Sequence, residues 1–599
     1  MCGIAGVLRR DGTPADPVSL ERAADAIAHR GPDDSGIHVD GPAGLAHRRL
    51  SIVDLSAAGH EPMPNENETV WLTYNGEIYN SPELRRELES AGHTFFSDCD
   101  AEVLVHGFEE WGEQMLGRLN GIFAFAIWDS RERTLFMSRD RFGIKPLYVS
   151  ETPERLVFAS EVKAILAYDD ERARLSLPAL NEYLTFQNIF GEATLFDGVT
   201  MLPAGTWLKA GPDGTRRRQW FDPVPAFDDD VDPDALAAEL GEAVQRAVDR
   251  QLMSDVPVGG YLSGGMDSAS LVTLAGRSIP HIHTFTGGFD MAEASPLEVG
   301  IDERADAEMV AREVNTEHYE TVLHAGAMAR VLPKLVYHLE DLRAGTSYQN
   351  FHVANLASRF VKVVLAGTGG DELFAGYPWR YSVLDDVTDR AGFNDAYYSY
   401  WTRLVPDDEK QEAFTADAWA EVADMRPRDS LEKVTEHLPE GLDPIDMALY
   451  FEQRTFLHGL LVVEDKLSMA HSMEARVPLL DNEVVDLSLR IPGAVKNTSP
   501  EGKALLRQAA TAFLPGALVH KKKQGFTTPD RAWYAGRSLG YIQEILLDGR
   551  SASRGVLRQE YTERMLLEHV EGVRDHRLVI WSLLCLEWWH RLFVDGERP

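Results

Sequence analysis

The chain changes its period near residue 235, and no single core accommodates both patterns. Before that point short apolar or alternating runs follow one another between turns. Segments 3–8, 44–46, 70–74, 123–129, 134–138 and 156–159 read as strands. Helical spacing is confined there to 19–28, 81–91 and 101–111, with Pro82 just inside the second and Ser81 as its expected cap. Strand after strand with few helices predicts layered sheets. Beyond residue 235 helix and strand alternate: helices at 235–251, 268–275 and 304–314, strands at 258–262, 283–287 and 361–366. That alternation predicts a parallel α/β sheet. From about Tyr377 the pattern is mostly helical, closing with a Trp-rich helix at 581–593. A polar stretch at 209–234, with Gly-Pro-Asp-Gly, arginines and a run of Asp, reads as the connector. The expected division is therefore 2–208, a connector at 209–234, and 235–599, which suits a length of 599 residues.

Charge narrows the partners. Lys plus Arg is 59 against 95 Asp plus Glu, a formal charge of −36, which argues against a nucleic-acid or anionic-membrane surface. Cys2, Cys99 and Cys585 are too few and too scattered for a disulfide framework or a four-ligand zinc site. Pairing of Cys2 with Cys99 is conceivable, but a reducing compartment is the simpler reading. No run approaches the roughly 18 apolar residues of a membrane span, and the first ten residues lack a signal-peptide pattern. A cytoplasmic location is expected.

Met1-Cys2-Gly3 opens the chemistry. Methionine before a small residue is removable, and its loss leaves Cys2 with a free α-amine. An α-amine ordinarily titrates near pH ~8, so it can serve as general base to its own thiol. Taken alone, a cysteine at position 2 is weak evidence. Three further segments carry turn signals with charge or amide groups: His29-Arg30-Gly31-Pro32-Asp33, 47–54 around His47-Arg48-Arg49, and Tyr74-Asn75-Gly76-Glu77. Asn75-Gly76 by itself reads as a hairpin turn. Together with Arg139-Asp140 and Gly143-Ile144-Lys145-Pro146, these segments resemble an N-terminal-nucleophile glutaminase domain, an αββα sandwich. The resemblance implies that Cys2 attacks the glutamine side-chain amide, with Asn75 and Gly76 stabilising the oxyanion. It implies a glutamine pocket of Arg49, Leu50, Ser51, Ile52, Val53, Glu77 and Asp100, with Arg49 and Asp100 clamping the zwitterion. Asp98 is the alternative acid.

A second site follows a second strand. Val258-Gly259-Gly260-Tyr261-Leu262-Ser263-Gly264-Gly265-Met266-Asp267-Ser268 is an apolar run, a glycine and hydroxyl turn, and a helix start, suited to phosphate. It lacks the Gly-Lys-Ser/Thr ending of a P-loop. The segment resembles the pyrophosphatase loop of enzymes that split ATP into AMP and pyrophosphate. Ala366-Gly367-Thr368-Gly369-Gly370-Asp371-Glu372 forms another acidic turn after a strand. Across nearly the whole chain the pattern resembles glutamine-hydrolysing asparagine synthetases. That implies ATP contacts from Leu262, Ser263, Gly264, Gly265, Asp267, Ser268, Gly287, Ala366, Gly367 and Lys503. It implies Mg²⁺ at Asp267 and Asp371, hard oxygen ligands suited to that ion. Lys503 would reach the α-phosphate. Segments 464–470 and 474–481 match as well and read as supports around the nucleotide pocket.

Two departures fall where the acceptor should sit. The family carries Ser-Gly-Glu-Gly at the second turn, and here Thr368 stands in place of the glutamate. Threonine does not ionise near neutrality and cannot act as base or carboxylate. Segment 339–349 also differs from the acceptor-binding pattern. With Thr368 and Tyr377 as acceptor-pocket residues, the expected substrate is a carboxylic acid other than aspartate, with an ordinary aspartate-using synthetase as the alternative. A related β-lactam synthetase layout normally lacks the catalytic cysteine, so Cys2 speaks against it. Glutamine and an acid acceptor are the expected partners, and a homodimer is left open.

Overall fold

The structure, a computed structural model, describes residues 2–228, 232–293, 298–343, 345–523, 525 and 528–599. The strand-rich part builds two antiparallel six-stranded sheets. One runs in spatial order Thr200–Met201, Tyr148–Glu151, Arg155–Ala159, Cys2–Arg9, Ala43–Arg49, Asp34–Asp40. The other runs Gly214–Gln219, Thr206–Gly211, Thr134–Arg139, Gly121–Asp129, Val70–Ile78, Met63–Pro64. Period-2 alternation explains the layering, because both faces of each sheet are apolar. Ile4 and Leu8 join Ala124, Ala126 and Trp128 in the cluster between the sheets. Their neighbours Ala5 and Val7 face the layer holding helices Pro17–Ala26 and Val162–Asp169, while Phe123, Phe125 and Ile127 face Ser81–Ala91 and Glu102–Trp111. The result is the αββα sandwich.

Several local expectations shift. The connector reading of 209–234 fails over its first part: Thr206–Gly211 and Gly214–Gln219 are a hairpin on the edge of the second sheet, in register Trp207 with Arg218 and Ala210 with Thr215. Its outer strand, Gly-Thr-Arg-Arg-Arg-Gln, is largely exposed, so charge masked a strand that pairs on one side only. Residues 47–49 and Asn75-Gly76 lie within strands rather than turns. Helix Ser81–Ala91 appears where predicted, but Ser81 is its first residue, and Asn80 precedes it without a side-chain cap. The Asp residues do cap: Asp16 and Asp232 each accept two backbone N–H groups ahead of a Pro at the first helical position.

The second part is built on a parallel sheet in order Glu317–Leu323, His283–Phe289, Val258–Tyr261, Val363–Leu365, Glu474–Arg476. Helices Pro233–Gln251, Met266–Ala275 and Arg304–Val314 cover it, and further helices fill the chain to Arg577–Trp589 and a closing π-turn at His590–Val594. Parallel pairing brings all strand C-terminal ends to one side, the place where turns can converge on a ligand. Apolar clusters cross between the two parts, one joining Leu50, Ile52 and Ile122 to Leu457, Leu479 and Leu480. Among the described residues no helix is long and apolar enough to cross a membrane.

Candidate active site

Cys2 begins a central strand of the first sheet, opposite Arg49. Its backbone nitrogen donates to Asn75 Oδ1 at 3.0 Å, so the nucleophile comes from one sheet and the amide from the other. With its oxygen engaged, Asn75 leaves Nδ2 buried and, among the described residues, without a hydrogen-bond partner, a donor of the kind that can meet a developing oxyanion. A side chain at Gly76 would run into the Ile122 carbonyl, the Phe123 backbone and the Tyr74 ring, which restricts the position to glycine. Burial pushes the Cys2 thiol up, and a backbone hydrogen bond from Leu50 and the charge of Arg49 pull against it. The remaining pocket residues gather here. Arg49 donates to the Ser56 and Asp54 carbonyls, which fixes the 50–56 loop. Ser51 N–H donates to Asp33, Ile52 is buried, and Val53 is partly buried. Asp100 is buried and accepts from Tyr74 Oη and Ile78 N, both at 2.8 Å. Asp98 instead exposes 98% of its side chain.

Glu77 is tied to the other half of the molecule. Its Oε2 accepts from Arg476 Nη2 at 3.0 Å, while Oε1 is buried and finds no hydrogen-bond partner among the described residues. Burial, then the charge of Asp100, raises this carboxyl well above its ordinary range, and Arg476 opposes them. Segment 474–476, read from sequence as a support around the nucleotide pocket, is thus a sheet strand whose arginine reaches the thiol site. A buried Glu61, pushed up by burial to about 8, accepts from Tyr74 N at 2.7 Å and lies 3.5 Å from His47. Sequence reading missed it, because one acid in a Gly-His-Glu-Pro loop carries no spacing signal.

The second site is a cavity of about 520 Å³ at the C-terminal ends of the parallel strands. Leu262, Ser263, Gly265, Asp267, Ser268, Gly287, Ala366, Gly367, Thr368, Asp371, Tyr377 and Lys503 all line it. Gly264 does not; it turns the chain at φ +72°, with Asp306 and Ala307 packed where a Cβ would stand. Ser263 and Ser268 close the turn on itself, their hydroxyls 3.2 Å apart and Ser268 Oγ donating to the Gly265 carbonyl. Lys503, itself in the left-handed region at φ 55°, is drawn in by its N–H to the Ala375 carbonyl. Its Nζ pairs with Asp267 and lies 2.7 Å from Asp371.

Lys523 completes the charge pattern, 2.6 Å from Asp371. Burial pushes the Asp371 carboxyl up, but Lys503 and Lys523 outweigh it and hold it down to about 2. The neighbouring Glu372 goes the other way: burial, then the charge of Asp371, raises it to about 7, and it accepts from Tyr377 Oη at 2.7 Å. Lys521-Lys522-Lys523 also lines the cavity and was not singled out from sequence. Three consecutive lysines in so acidic a chain were the available signal. For a divalent cation the donor set fits: Asp267 Oδ1 is buried with no hydrogen-bond partner among the described residues, beside the Asp371 carboxylate.

The family comparisons agree with this layout. A glutamine amidotransferase domain model matches residues 1–221, and an asparagine synthase model matches 239–591. Asparagine synthetase [glutamine-hydrolyzing] 1 of Bacillus subtilis (strain 168) is 30% identical, over 99% of this chain and 97% of its own. Asparagine synthetase [glutamine-hydrolyzing] 3 of the same organism is 29% identical, over 94% and 93%. A synthetase of the same description from Triphysaria versicolor is 29% identical, over 88% and 78%. The amidotransferase match falls on the layered sandwich and the synthase match on the parallel-sheet part, and the chain belongs to the asparagine synthase family, with a glutamine amidotransferase domain ahead of it.

Proposed function

We propose that the chain is a glutamine-dependent amidotransferase that makes an amide from an AMP-activated carboxylic acid. The observation that carries this is the meeting of Asp267, Asp371, Lys503 and Lys523 in one cavity, in a chain that also holds the Cys2–Asn75 site. In the first site, the α-amine freed by loss of Met1 takes the Cys2 thiol proton as sulfur attacks the glutamine amide carbon. Asn75 Nδ2 meets the oxyanion, the amide nitrogen leaves as ammonia, and water hydrolyses the thioester to glutamate. In the second site an acceptor carboxylate oxygen attacks the α-phosphorus of ATP and displaces pyrophosphate. Lys503 is the group that meets the charge building there. Ammonia then attacks the acyl carbon, Glu372 takes the proton from nitrogen, and AMP leaves. Asp267 and Asp371 would hold Mg²⁺, which supplies charge neutralisation for the pyrophosphate.

The acceptor is an acid other than aspartate. Thr368 leaves the turn without the family glutamate, and the cavity continues to Trp379, Arg403 and Arg577. Arg403 stacks 4.1 Å from Trp401, and among the described residues no carboxylate pairs with it, so an additional anionic group on the acceptor would find a counter-charge there. Aspartate is the second reading, favoured by the names of the relatives. Purified protein with ATP, glutamine and aspartate separates the two: little asparagine is expected, and AMP should form only with a larger acid. Brisk asparagine formation would remove the altered-acceptor reading.

A further inference from the structure

Helix Glu102–Trp111 packs on the outer face of the second sheet and carries His106, which is 1% exposed. Among the described residues neither ring nitrogen of His106 makes a hydrogen bond. Its Nδ1 lies 3.5 Å from Glu109 Oε2 and 3.9 Å from Glu66 Oε2. The His93 ring stands beside it, centroids 5.0 Å apart, and donor atoms of Glu66, His93 and His106 all fall within 4.8 Å of one another. Zinc bonds of about 2.0–2.2 Å place neighbouring ligand atoms of a tetrahedron about 3.3–3.6 Å apart, so small side-chain rotations close this set.

The groups behind the donors are arranged as metal ligands require. Thr94 N–H donates to Glu66 Oε1 at 3.2 Å, which leaves Oε2 for the cluster. Asn65 Nδ2 donates to Glu109 Oε1 at 2.7 Å, and Glu109 Oε2 is left buried with no hydrogen-bond partner among the described residues. Glu102 Oε1 stands 3.5 Å from His106 Nε2, on the far side of the ring from the cluster, and the same carboxylate accepts from Phe96 N and Ser97 N. A ligating histidine commonly directs its second N–H at a carboxylate, and Glu102 is the carboxylate that Nε2 faces.

We propose that Glu66, His93 and His106 bind a divalent transition metal of the zinc class through Nδ1 of His106, with Glu109 as the fourth donor. Imidazole and carboxylate together suit zinc better than magnesium. The metal would fasten the loops at 65–66 and 93–97 to the helix, just ahead of Asp100. A proton is the rival occupant: burial pulls the imidazole down, but Glu102, Glu109 and Glu66 push it up to about 9.

The test uses the full chain carrying Cys2→Ala, which removes the thiol as a competing zinc ligand. The protein is stripped with a chelator and held in millimolar Mg²⁺ to fill the carboxylate sites of the nucleotide cavity. Zn²⁺ is then titrated in competition with a chromophoric chelator. One equivalent should bind with Kd below micromolar, and Glu66→Gln and His93→Ala should each weaken it about tenfold or more. Zn²⁺ should also raise the melting midpoint of the parent and not of the variants. Glu66 is exposed, so its variant folds, and ammonium-driven AMP formation equal to the parent's checks His93→Ala. No stoichiometric binding, or equal affinity in parent and both variants, overturns the site.

Discussion

At the scale of single residues the same desolvation has opposite outcomes on adjacent carboxylates. Asp371 and Glu372 are both buried at the head of one short helix. Two lysines keep the first ionised, while the second, facing Tyr377, is raised to about 7. A carboxyl poised near neutrality inside the cavity has the affinity for a proton that a general base needs. Glu372 must be ionised to accept that proton, so synthesis driven by ammonium, measured at constant free ammonia, should fall as pH drops through about 7. Glu372→Gln should lower the rate by roughly 10²–10⁴-fold and flatten that limb of the profile. A variant that keeps the wild-type pH profile would take the residue out of the proton transfer. Position 368 supplies no such group, and Glu372 lies four residues further along the same turn.

At the scale of elements, legibility tracked periodicity. Strands with apolar alternation on both faces, such as Gly121–Asp129, and the amphipathic helix Arg304–Val314 announce themselves. Glu474–Arg476 does not: three residues, two of them charged, with hydrogen-bond partners that only the folded sheet provides. Motif context was enough to name residues that the fold brings together around Cys2 and around Asp267, but Lys523, Glu61 and the reach of Arg476 depend on packing between distant segments. That short strand nonetheless links the two sites. It pairs with Val363–Leu365, which leads into the second turn, and its arginine counters Glu77. Arg476 is the charge that opposes the rise which burial and Asp100 impose on the Glu77 carboxyl, and in the proposed glutamine pocket its loss would disturb Glu77 first. Arg476→Met should therefore raise the KM for glutamine about tenfold or more in glutamate-release assays, while AMP formation with ammonium changes little. An unchanged KM would mean that Glu77 is not part of the glutamine pocket.

At the scale of the molecule, the two parts meet through buried charge as well as through apolar clusters. Arg30 bonds Glu161 at 2.9 Å and Asp465 at 2.8 Å, and Lys145 lies 3.2 Å from Asp465. Lys163 and Lys466 converge on Glu340 at 3.0 and 2.8 Å, and every member is 5% exposed or less. Such a network adds little net stability over an apolar interface, yet removing one member leaves partners uncompensated at a cost of about 3–5 kcal/mol. Under the proposed function such a network would hold the thiol site and the nucleotide cavity in one relative placement, which transfer of ammonia from one to the other requires. Asp465→Asn deprives Arg30 and Lys145 of their shared counter-charge without changing a group that touches either substrate. Glutamate and AMP should form in near-equal amounts in the parent enzyme. In the variant glutamate should exceed AMP as ammonia escapes, while AMP formation with added ammonium persists. If the variant only melts earlier and keeps the parent ratio, the network holds the fold together without governing transfer between the sites.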